Sequence, residues 1–198
     1  VIRGDRNSRN HNELMLKAMG ADIAAKEKYI CLTPTPSLCA RDMYIPGDIS
    51  SAAFFITAGL LVPNATIIIK DIGLNITRSG ILDVYSDMGA NIELENVVET
   101  AGELKGDIKV SSSSLTSTTI AGDIIPRLID EIPIIALAAT QANGTSIIKD
   151  AKELTVKESN RIQSTAHVLS KLGADIEPTS DGMIIKGPTP LYGNTDRK

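Results

Sequence analysis

The sequence predicts an α+β (mixed α/β) fold made of repeated βαβαββ modules, in which parallel and antiparallel strand pairing both occur. Two interleaved internal repeats are the basis of this prediction. The first is a five-residue phrase that occurs at 19–23, 88–92 and 172–176. The second is an apolar helical segment followed by a turn and an apolar strand, found at 50–71 and again at 133–150. The predicted order in each unit is buried helix, strand, amphipathic helix, strand, strand.

Each copy of the five-residue phrase is predicted to end an amphipathic helix and to begin a strand. Before the second copy, Ile81, Val84, Tyr85 and Met88 recur at the spacing of one helix face. The glycine inside each phrase is typical of a helix C-cap, where the backbone turns left-handed. The isoleucine that closes each copy is expected to begin a short strand.

The repeats also predict the domain organisation. One complete module covers about 47–114, and a second runs from about 120 to 187. We therefore expect residues 1–46 to be the tail module of a first domain and residues 47–198 to hold two modules of a second domain. Because the chain opens on Val1 within a module, it is expected to be a piece of a longer protein.

Composition argues against several classes of function. A net charge of −4 and 3 % aromatic residues disfavour a nucleic-acid surface, which needs clustered cations or stacking rings. The longest apolar stretch, 52–62, is too short for a membrane helix, and nothing resembles a signal peptide. Cys31 and Cys39 fit no zinc or disulfide pattern and are expected to be packing residues of a reducing compartment. We expect a cytoplasmic protein without nucleic-acid or membrane partners.

The segment 154–161 carries the strongest chemical signal. Thr155 and Glu158 have the spacing of a capping box at the start of the third amphipathic helix. Lys157 and Arg161 lie four apart, where like charges on one helix face repel, and both crowd a helix N-terminus, which disfavours cations. A helix start with two such cations and free backbone N–H groups favours an anion site over a solvated charged face.

Two other helix starts carry acidic side chains that can cap the helix or act chemically. Asp130 and Glu131 precede Pro133, which suits the first turn of the second buried helix. A cap and a functional role are equally compatible with that pair. Asp48, at the same place in the preceding module, is expected to be an N-cap.

The first helix has a similar polar start. Asn10 and Glu13 have capping-box spacing, which leaves Arg9 immediately outside the helix. His11 is expected to be an ordinary satisfied or exposed histidine, and His167 also stands alone. The sequence has no HExxH, P-loop or dinucleotide fingerprint. Because both histidines stand alone, a metal site is not expected.

Four segments match sequence patterns of one known family. Residues 8–13 are similar to S-R-D-H-T-E with two substitutions, and residues 46–52 match P-G-D-x-S-S-A. Residues 130–133 match D-E-x-P. Residues 156–161 match V-K-E-S-D-R except at Asn160, and this pattern is the most specific. Together these segments resemble the EPSP synthase (3-phosphoshikimate 1-carboxyvinyltransferase) family over nearly the whole chain.

The resemblance implies an inside-out α/β barrel of two domains, each with three βαβαββ modules, that close on substrates in the cleft. It also implies transfer of the enolpyruvyl group of phosphoenolpyruvate to the 5-hydroxyl of shikimate 3-phosphate, a step of aromatic amino acid biosynthesis that releases phosphate. The implied partners are these two substrates, without a metal or an organic cofactor. We expect a monomer.

The resemblance further implies residue roles. Asp130 receives the 5-hydroxyl proton, while Lys157 and Glu158 contact the sugar-acid substrate and take part in proton transfer to the enol carbon. The expected catalytic residues are therefore Asp130, Lys157 and Glu158.

Substrate binding is implied for Ser8, Arg9, Asp130, Lys157 and Arg161. Ser8 and Arg9 match positions at the shikimate phosphate, and Arg161 matches the arginine that holds phosphoenolpyruvate.

Two alternatives stay open. The sister enzyme UDP-N-acetylglucosamine enolpyruvyl transferase shares the fold and the donor, although the Lys157–Glu158 pair before Arg161 favours the shikimate enzyme. The other alternative is a non-catalytic isolated domain, because several of the family's substrate-binding segments have no counterpart here. Thr155 also replaces a residue that is usually basic. We expect the chain alone to have little or no transferase activity.

Overall fold

The computed structural model describes residues 1–4, 9–26, 28–34 and 37–193, and its elements fall into three groups along the chain. The first group consists of strand β1 (Ile2–Arg3), helix α1 (His11–Ala18) and strands β2 (Asp22–Lys26) and β3 (Tyr29–Thr33). These strands form an antiparallel sheet in the order β1-β3-β2. None of the residues of α1 is buried, so this group adds little to the core.

The second group is built around helix α2 (Ile49–Leu61) and strand β4 (Thr66–Gly73). Helix α3 (Gly80–Asp87) and strands β5 (Asn91–Thr100) and β6 (Glu103–Ser111) complete it. The strands pair antiparallel in the order β4-β6-β5. On the free side of β4, Gly47 forms a parallel bridge with Ile72.

The third group repeats this order of elements. Strand β7 (Thr119–Ile120) is followed by a 3-10 turn (Gly122–Arg127) and helix α4 (Ile132–Ala139). The rest of the group is listed in chain order: strand β8 (Gly144–Ile148), a 3-10 turn (Lys152–Thr155), helix α5 (Arg161–Lys171), and strands β9 (Asp175–Pro178) and β10 (Met183–Gly187). The sheet order is β7-β8-β10-β9, with β7 parallel to β8 and the other pairs antiparallel.

The sheets of the second and third groups have corresponding connections. In both, a parallel partner lies beside the first long strand, and the last strand of the group pairs between two antiparallel neighbours. The mixed α/β class with both kinds of pairing is therefore confirmed. In the described residues, no helix is long and apolar enough to cross a membrane.

A single apolar core joins the second and third groups. It is built mainly from aliphatic side chains, as expected for a chain with only 3 % aromatic residues. Fully buried members from the helices and strands of both groups are Ile56, Ile81, Tyr85, Ile108, Ile132, Ile135 and Ile148. Helix α2 contacts α4, and α4 contacts α5. The starts of these three helices are therefore positioned by the same apolar core.

The helix-ending phrase has the predicted conformation. Gly20, Gly89 and Gly173 follow α1, α3 and α5 with φ of +95°, +80° and +103°. Only glycine adopts this left-handed region without strain. Strands β2, β5 and β9 then begin at or next to the expected isoleucines.

Two packing predictions are wrong in part. Helix α2 is not buried all round, because Phe54 and Phe55 are 63 % and 62 % exposed on its outer face. Cys39 is exposed and Cys31 is half-buried, and both are free thiols. Cys39 is therefore not a packing residue.

Strands β4 and β5 both bulge opposite the same part of β6. Their registers shift between Ile69 and Ile72 and between Glu95 and Val98. Asp107 on β6 accepts hydrogen bonds from the backbone N–H of Asp71 and from Nδ2 of Asn96, each at 2.9 Å. Asp71 and Asn96 have φ of +56° and +52°, as bulged residues often do. One carboxylate thus stabilises both irregularities.

A buried polar contact links the starts of α2 and α4. Glu131 is 2 % exposed, and its carboxylate accepts a short hydrogen bond from Oγ of Ser50. Asp48 caps α2, as predicted, by accepting hydrogen bonds from the backbone N–H groups of Ser50 at 3.2 Å and Ser51 at 3.1 Å. Burial raises the pKa of Glu131, and the Ser50 hydrogen bond and the charge of Arg78 only partly offset this.

We predict that Glu131→Gln stabilises the fold at neutral pH. A raised pKa means that the folded protein binds the proton more tightly, so ionisation of Glu131 destabilises the fold as pH rises above the ordinary value of 4.5. Glutamine keeps an acceptor for Ser50 without the charge. Urea unfolding of both proteins at several pH values should show a stability gain that grows with pH and vanishes in acid. A loss of stability that grows with pH would contradict this.

We predict that Ile135→Ala destabilises the fold by about 2–5 kcal/mol, since Ile135 is fully buried at the junction of α4 with its neighbours. The matched control is Ile76→Ala, because Ile76 is 69 % exposed and its truncation should change stability by less than about 0.5 kcal/mol. Urea midpoints of the 198-residue chain measure both. Equal effects would show that the core does not close around α4.

Candidate active site

The residues predicted from sequence converge where three helices begin. Asp130 lies in the turn before α4, Arg161 is the first residue of α5, and Arg9 lies two residues before α1. Pro133 is in the first turn of α4, as predicted. The N-cap position of α4 is Glu131, whose side chain is turned to Ser50. The Asp130 side chain therefore does not cap α4, and its carboxylate faces the arginines.

The Asp130 carboxylate is the centre of the site. Its Oδ1 accepts a hydrogen bond from Nη1 of Arg161 at 3.1 Å, and its Oδ2 accepts one from Nη2 of Arg9 at 2.8 Å. Nη1 of Arg78 lies 3.5 Å from Oδ2. Three guanidinium groups, from three separate parts of the chain, thus contact one carboxylate.

Arg161 connects Asp130 to Glu158. Its Nε and Nη2 donate to the two carboxylate oxygens of Glu158 at 2.9 and 3.1 Å, the bidentate geometry that Arg favours. The Glu158 side chain is 69 % exposed, so it lies at the rim of the site. The hydrogen bond from Arg161 holds the pKa of Glu158 below its ordinary value.

The capping box predicted at Thr155 and Glu158 is wrong. Helix α5 begins later, at Arg161, and Asn160 caps it by accepting a hydrogen bond from the N–H of Gln163 at 3.1 Å. Thr155 ends a 3-10 turn and donates to the carbonyl of Lys152. An Asn next to the first helical residue is a better cap than a Thr six residues upstream.

The prediction that Lys157 and Arg161 share a helix face is therefore wrong, because α5 begins only at Arg161. Lys157 lies in the bend before α5 and forms an ion pair with Glu153. Its charge still helps to lower the pKa of Asp130, which places it near the site without a contact to that carboxylate.

The start of α1 also differs from the prediction. Asn10 occupies the N-cap position, but its Oδ1 accepts a hydrogen bond from Nδ2 of Asn75 at 2.9 Å instead of from the helix. His11 pairs through Nδ1 with the Glu103 carboxylate at 2.8 Å. These contacts connect the segment that carries Arg9 to strand β6 and to the loop after β4. Ser8, a predicted binding residue, lies outside the described residues.

A pocket of about 490 Å³ opens at this carboxylate, and its lining includes Arg78, which is not among the residues predicted from sequence. Arg78, Ser50 and Glu131 line it together with Asp130, Arg9 and Arg161. The signal for Arg78 was available, because this cation lies two residues before α3, at a helix start that disfavours positive charge.

The arginines determine the protonation state of Asp130. Burial alone raises the pKa of this carboxyl, but the hydrogen bond from Arg161 and the charge of Arg9 outweigh burial, so its pKa lies below the ordinary value. Asp130 is therefore ionised at neutral pH. Among the described residues, no group of three or more His, Cys, Asp or Glu side chains is placed to hold a metal ion.

Comparison with known proteins gives consistent results. The EPSP synthase (3-phosphoshikimate 1-carboxyvinyltransferase) family model matches residues 2–195. The 3-phosphoshikimate 1-carboxyvinyltransferase of Bacillus subtilis is 52 % identical over 186 residues, which cover 94 % of this chain and 44 % of that protein. The enzyme of the same name from Geobacillus kaustophilus is 53 % identical over 187 residues, again 94 % of this chain and 44 % of the relative.

Solved structures agree. EPSP synthase from Acinetobacter baumannii superposes with a TM-score of 0.87 at 36 % identity, over 94 % of this chain and 42 % of that one. The enolpyruvyl transferase NikO from Streptomyces tendae superposes with a TM-score of 0.63 at 19 % identity, over 90 % of this chain and 39 % of that one, which shows a shared fold alone. This chain thus spans less than half the length of these relatives. Since the family model matches nearly all of its residues, the chain belongs to the EPSP synthase family.

Proposed function

We propose that this chain supplies one side of an active site that transfers the enolpyruvyl group of phosphoenolpyruvate to the 5-hydroxyl of shikimate 3-phosphate, with release of phosphate. The observation that carries the proposal is the carboxylate of Asp130 in contact with Arg9, Arg78 and Arg161. Family membership suggests the reaction. In this cluster, the Asp130 carboxylate can accept a proton, and the arginines around it can bind the two polyanionic substrates.

The charge distribution fits such substrates. A phosphate group carries roughly −1.5 to −2 charges at neutral pH, and the chain as a whole carries −4. Net charge therefore repels the substrates, and binding depends on cations placed locally. Arg9 and Arg161 are 48 % and 27 % exposed, so their guanidinium groups are open to phosphate and carboxylate oxygens from the pocket side.

The arginines also give Asp130 a means of becoming a base. In the structure they hold its pKa below the ordinary value, which suits an ion-pair partner better than a proton acceptor. Substrate anions compete with Asp130 for Arg9 and Arg161. As these cations turn to the substrates, the pKa of Asp130 rises toward the range in which a carboxylate accepts a hydroxyl proton well.

Lys157 and Glu158 are proposed to contact the sugar-acid substrate and to take part in proton transfer to the enol carbon. Their support is local: Arg161 holds the Glu158 carboxylate at the rim, and the Lys157 ammonium is held nearby by Glu153. Ser8 and Arg9 are proposed to bind the phosphate of shikimate 3-phosphate. This proposal involves no metal or organic cofactor.

We also propose the larger architecture that the family implies. The corresponding strand orders of the second and third groups support two βαβαββ modules of one domain in an inside-out barrel, with residues 1–46 belonging to the other domain. The protein is proposed to be a cytoplasmic monomer of aromatic amino acid biosynthesis, without nucleic-acid or membrane partners.

A chimera tests the catalytic assignment. The segment 2–190 replaces its counterpart in the Bacillus subtilis relative, and phosphate release is measured with both substrates. Asp130→Asn should lower kcat by about 10²- to 10⁴-fold, the usual contribution of a positioned acid or base. The dissociation constant for shikimate 3-phosphate should stay within about threefold of the value for the parent chimera, since the cations remain.

The matched control is Asp175→Asn. Asp175 is exposed on β9 and lies 3.8 Å from the ammonium group of Lys186, which is also exposed, so turnover should be unchanged. A chimera in which Asp130→Asn turns over like the control would refute the assignment of Asp130.

The isolated chain tests substrate recognition without turnover. We expect little or no phosphate release from the 198-residue chain, because it holds only part of the family's substrate-binding groups. Titration with shikimate 3-phosphate, followed by NMR, should shift the guanidinium signals of Arg9 and Arg161. Arg161→Met should weaken any interaction with phosphoenolpyruvate. UDP-N-acetylglucosamine is the comparison ligand, and preferential shifts with it would favour the sister enzyme instead.

A further inference from the structure

Arg78 is the most enclosed of the three arginines around Asp130. Its side chain is 16 % exposed, against 27 % for Arg161 and 48 % for Arg9. It approaches the carboxylate from the floor of the pocket, where α2 and α3 begin, while the other two lie nearer solvent. It belongs to none of the segments that carry the family resemblance.

The backbone around Arg78 is fixed by a buried turn. Asn75 is 6 % exposed, and its Oδ1 accepts hydrogen bonds from the N–H and the hydroxyl of Thr77 at 2.8 and 2.7 Å. The N–H of Arg78 donates to the carbonyl of Asn75 at 2.8 Å. Gly80 follows, and a Cβ there would lie 3.0 Å from Cβ of Arg127. This packing leaves the loop little freedom to move.

The guanidinium group of Arg78 contacts two consecutive acidic residues, one directly and one through a hydroxyl. Its Nη1 lies 3.5 Å from Oδ2 of Asp130, and its Nη2 donates to Oγ of Ser50 at 2.5 Å. The Ser50 hydroxyl in turn donates to the buried carboxylate of Glu131. The planar fork of arginine offers a separate nitrogen to each partner, Nη1 to Asp130 and Nη2 to Ser50.

We propose that Arg78 is a positioning residue for the transfer reaction: it orients the Asp130 carboxylate from the buried side and keeps it in place while anionic substrates engage Arg9 and Arg161. The inference rests on the proposed function of Asp130. The more exposed arginines are free to turn to the substrates, whereas Arg78 is held by Ser50, by Asp48 at 3.4 Å and by its own loop. A carboxylate that lost all three partners would have no defined direction at the moment of proton transfer.

The chimera described above tests this with Arg78→Met. Misplacement of a reacting group by about 1 Å costs about 100-fold in rate, so kcat should fall about 100-fold while KM for both substrates stays within about threefold. The acid limb of the pH profile of kcat should move to higher pH, because Asp130 keeps less cationic stabilisation in the complex. Arg78→Lys should recover part of the rate, since lysine keeps the charge but lacks the planar fork that fixes the direction of both contacts.

Lys105→Met is the matched control. Lys105 is similarly enclosed, with a side chain 17 % exposed, and pairs with Asp71 at 2.5 Å on the second sheet. Its loss should leave kcat and the acid limb unchanged. The proposal would be overturned if a rise in KM accounted for the whole loss of kcat/KM in Arg78→Met and the acid limb did not move. Full activity in Arg78→Met or Arg78→Lys would also overturn it.

A second measurement does not depend on turnover. NMR titration of the Asp130 carboxyl carbon in the 198-residue chain should show a higher midpoint in Arg78→Met than in the parent, and no change in Lys105→Met. An unmoved midpoint in a folded Arg78→Met chain would overturn the proposal. If instead the midpoint moves but Asp130→Asn leaves turnover of the chimera intact, the contact stands and the proposed function of Asp130 is wrong.

Discussion

The charge balance around the Asp130 carboxylate constrains the rest of the site. Arg9, Arg78 and Arg161 come from segments that are far apart in the chain, and each contacts this one group. Without the carboxylate, three partly enclosed cations would repel one another. Without the cations, a half-buried carboxylate would lose hydration with little compensation. In the absence of a competing anion, this contact therefore holds the elements that carry these residues in one arrangement.

All five helices in the described ranges begin at or near this contact. Arg9 precedes α1, Asp48 caps α2, Arg78 precedes α3, Asp130 precedes α4 and Arg161 opens α5. Each helix N-terminus adds a partial positive charge from its free N–H groups. Acidic side chains at the starts of α2 and α4 and cations at the other three make the site a local balance of opposite charges. The surface of the chain as a whole is acidic, so this local concentration is what distinguishes the site.

The sequence predicted the elements of this fold more accurately than the contacts between them. Periodicity located the helices, and the repeated glycines marked their ends, because both signals are local. The predicted cap of α5 was wrong, since Thr155–Glu158 and Asn160 compete for one helix start and only packing decides between them. The sequence left Asp130 undecided between cap and site for the same reason. The place of Arg78 before α3 is a local signal, but its partners, Ser50 and Asp130, lie 28 and 52 residues away in sequence, and no local pattern records such contacts.

The paired bulges opposite Asp107 have a consequence for Arg9. Beyond them, strand β6 begins at Glu103, whose carboxylate holds His11, and His11 lies two residues from Arg9. Side chains alternate between the faces of a strand, so a one-residue slip in register would turn Glu103 to the opposite face. The hydrogen bonds of Asp107 oppose that slip by fixing the extra residues of both neighbouring strands in place. The register of the β5–β6 hairpin thereby supports the contact that anchors the segment carrying Arg9.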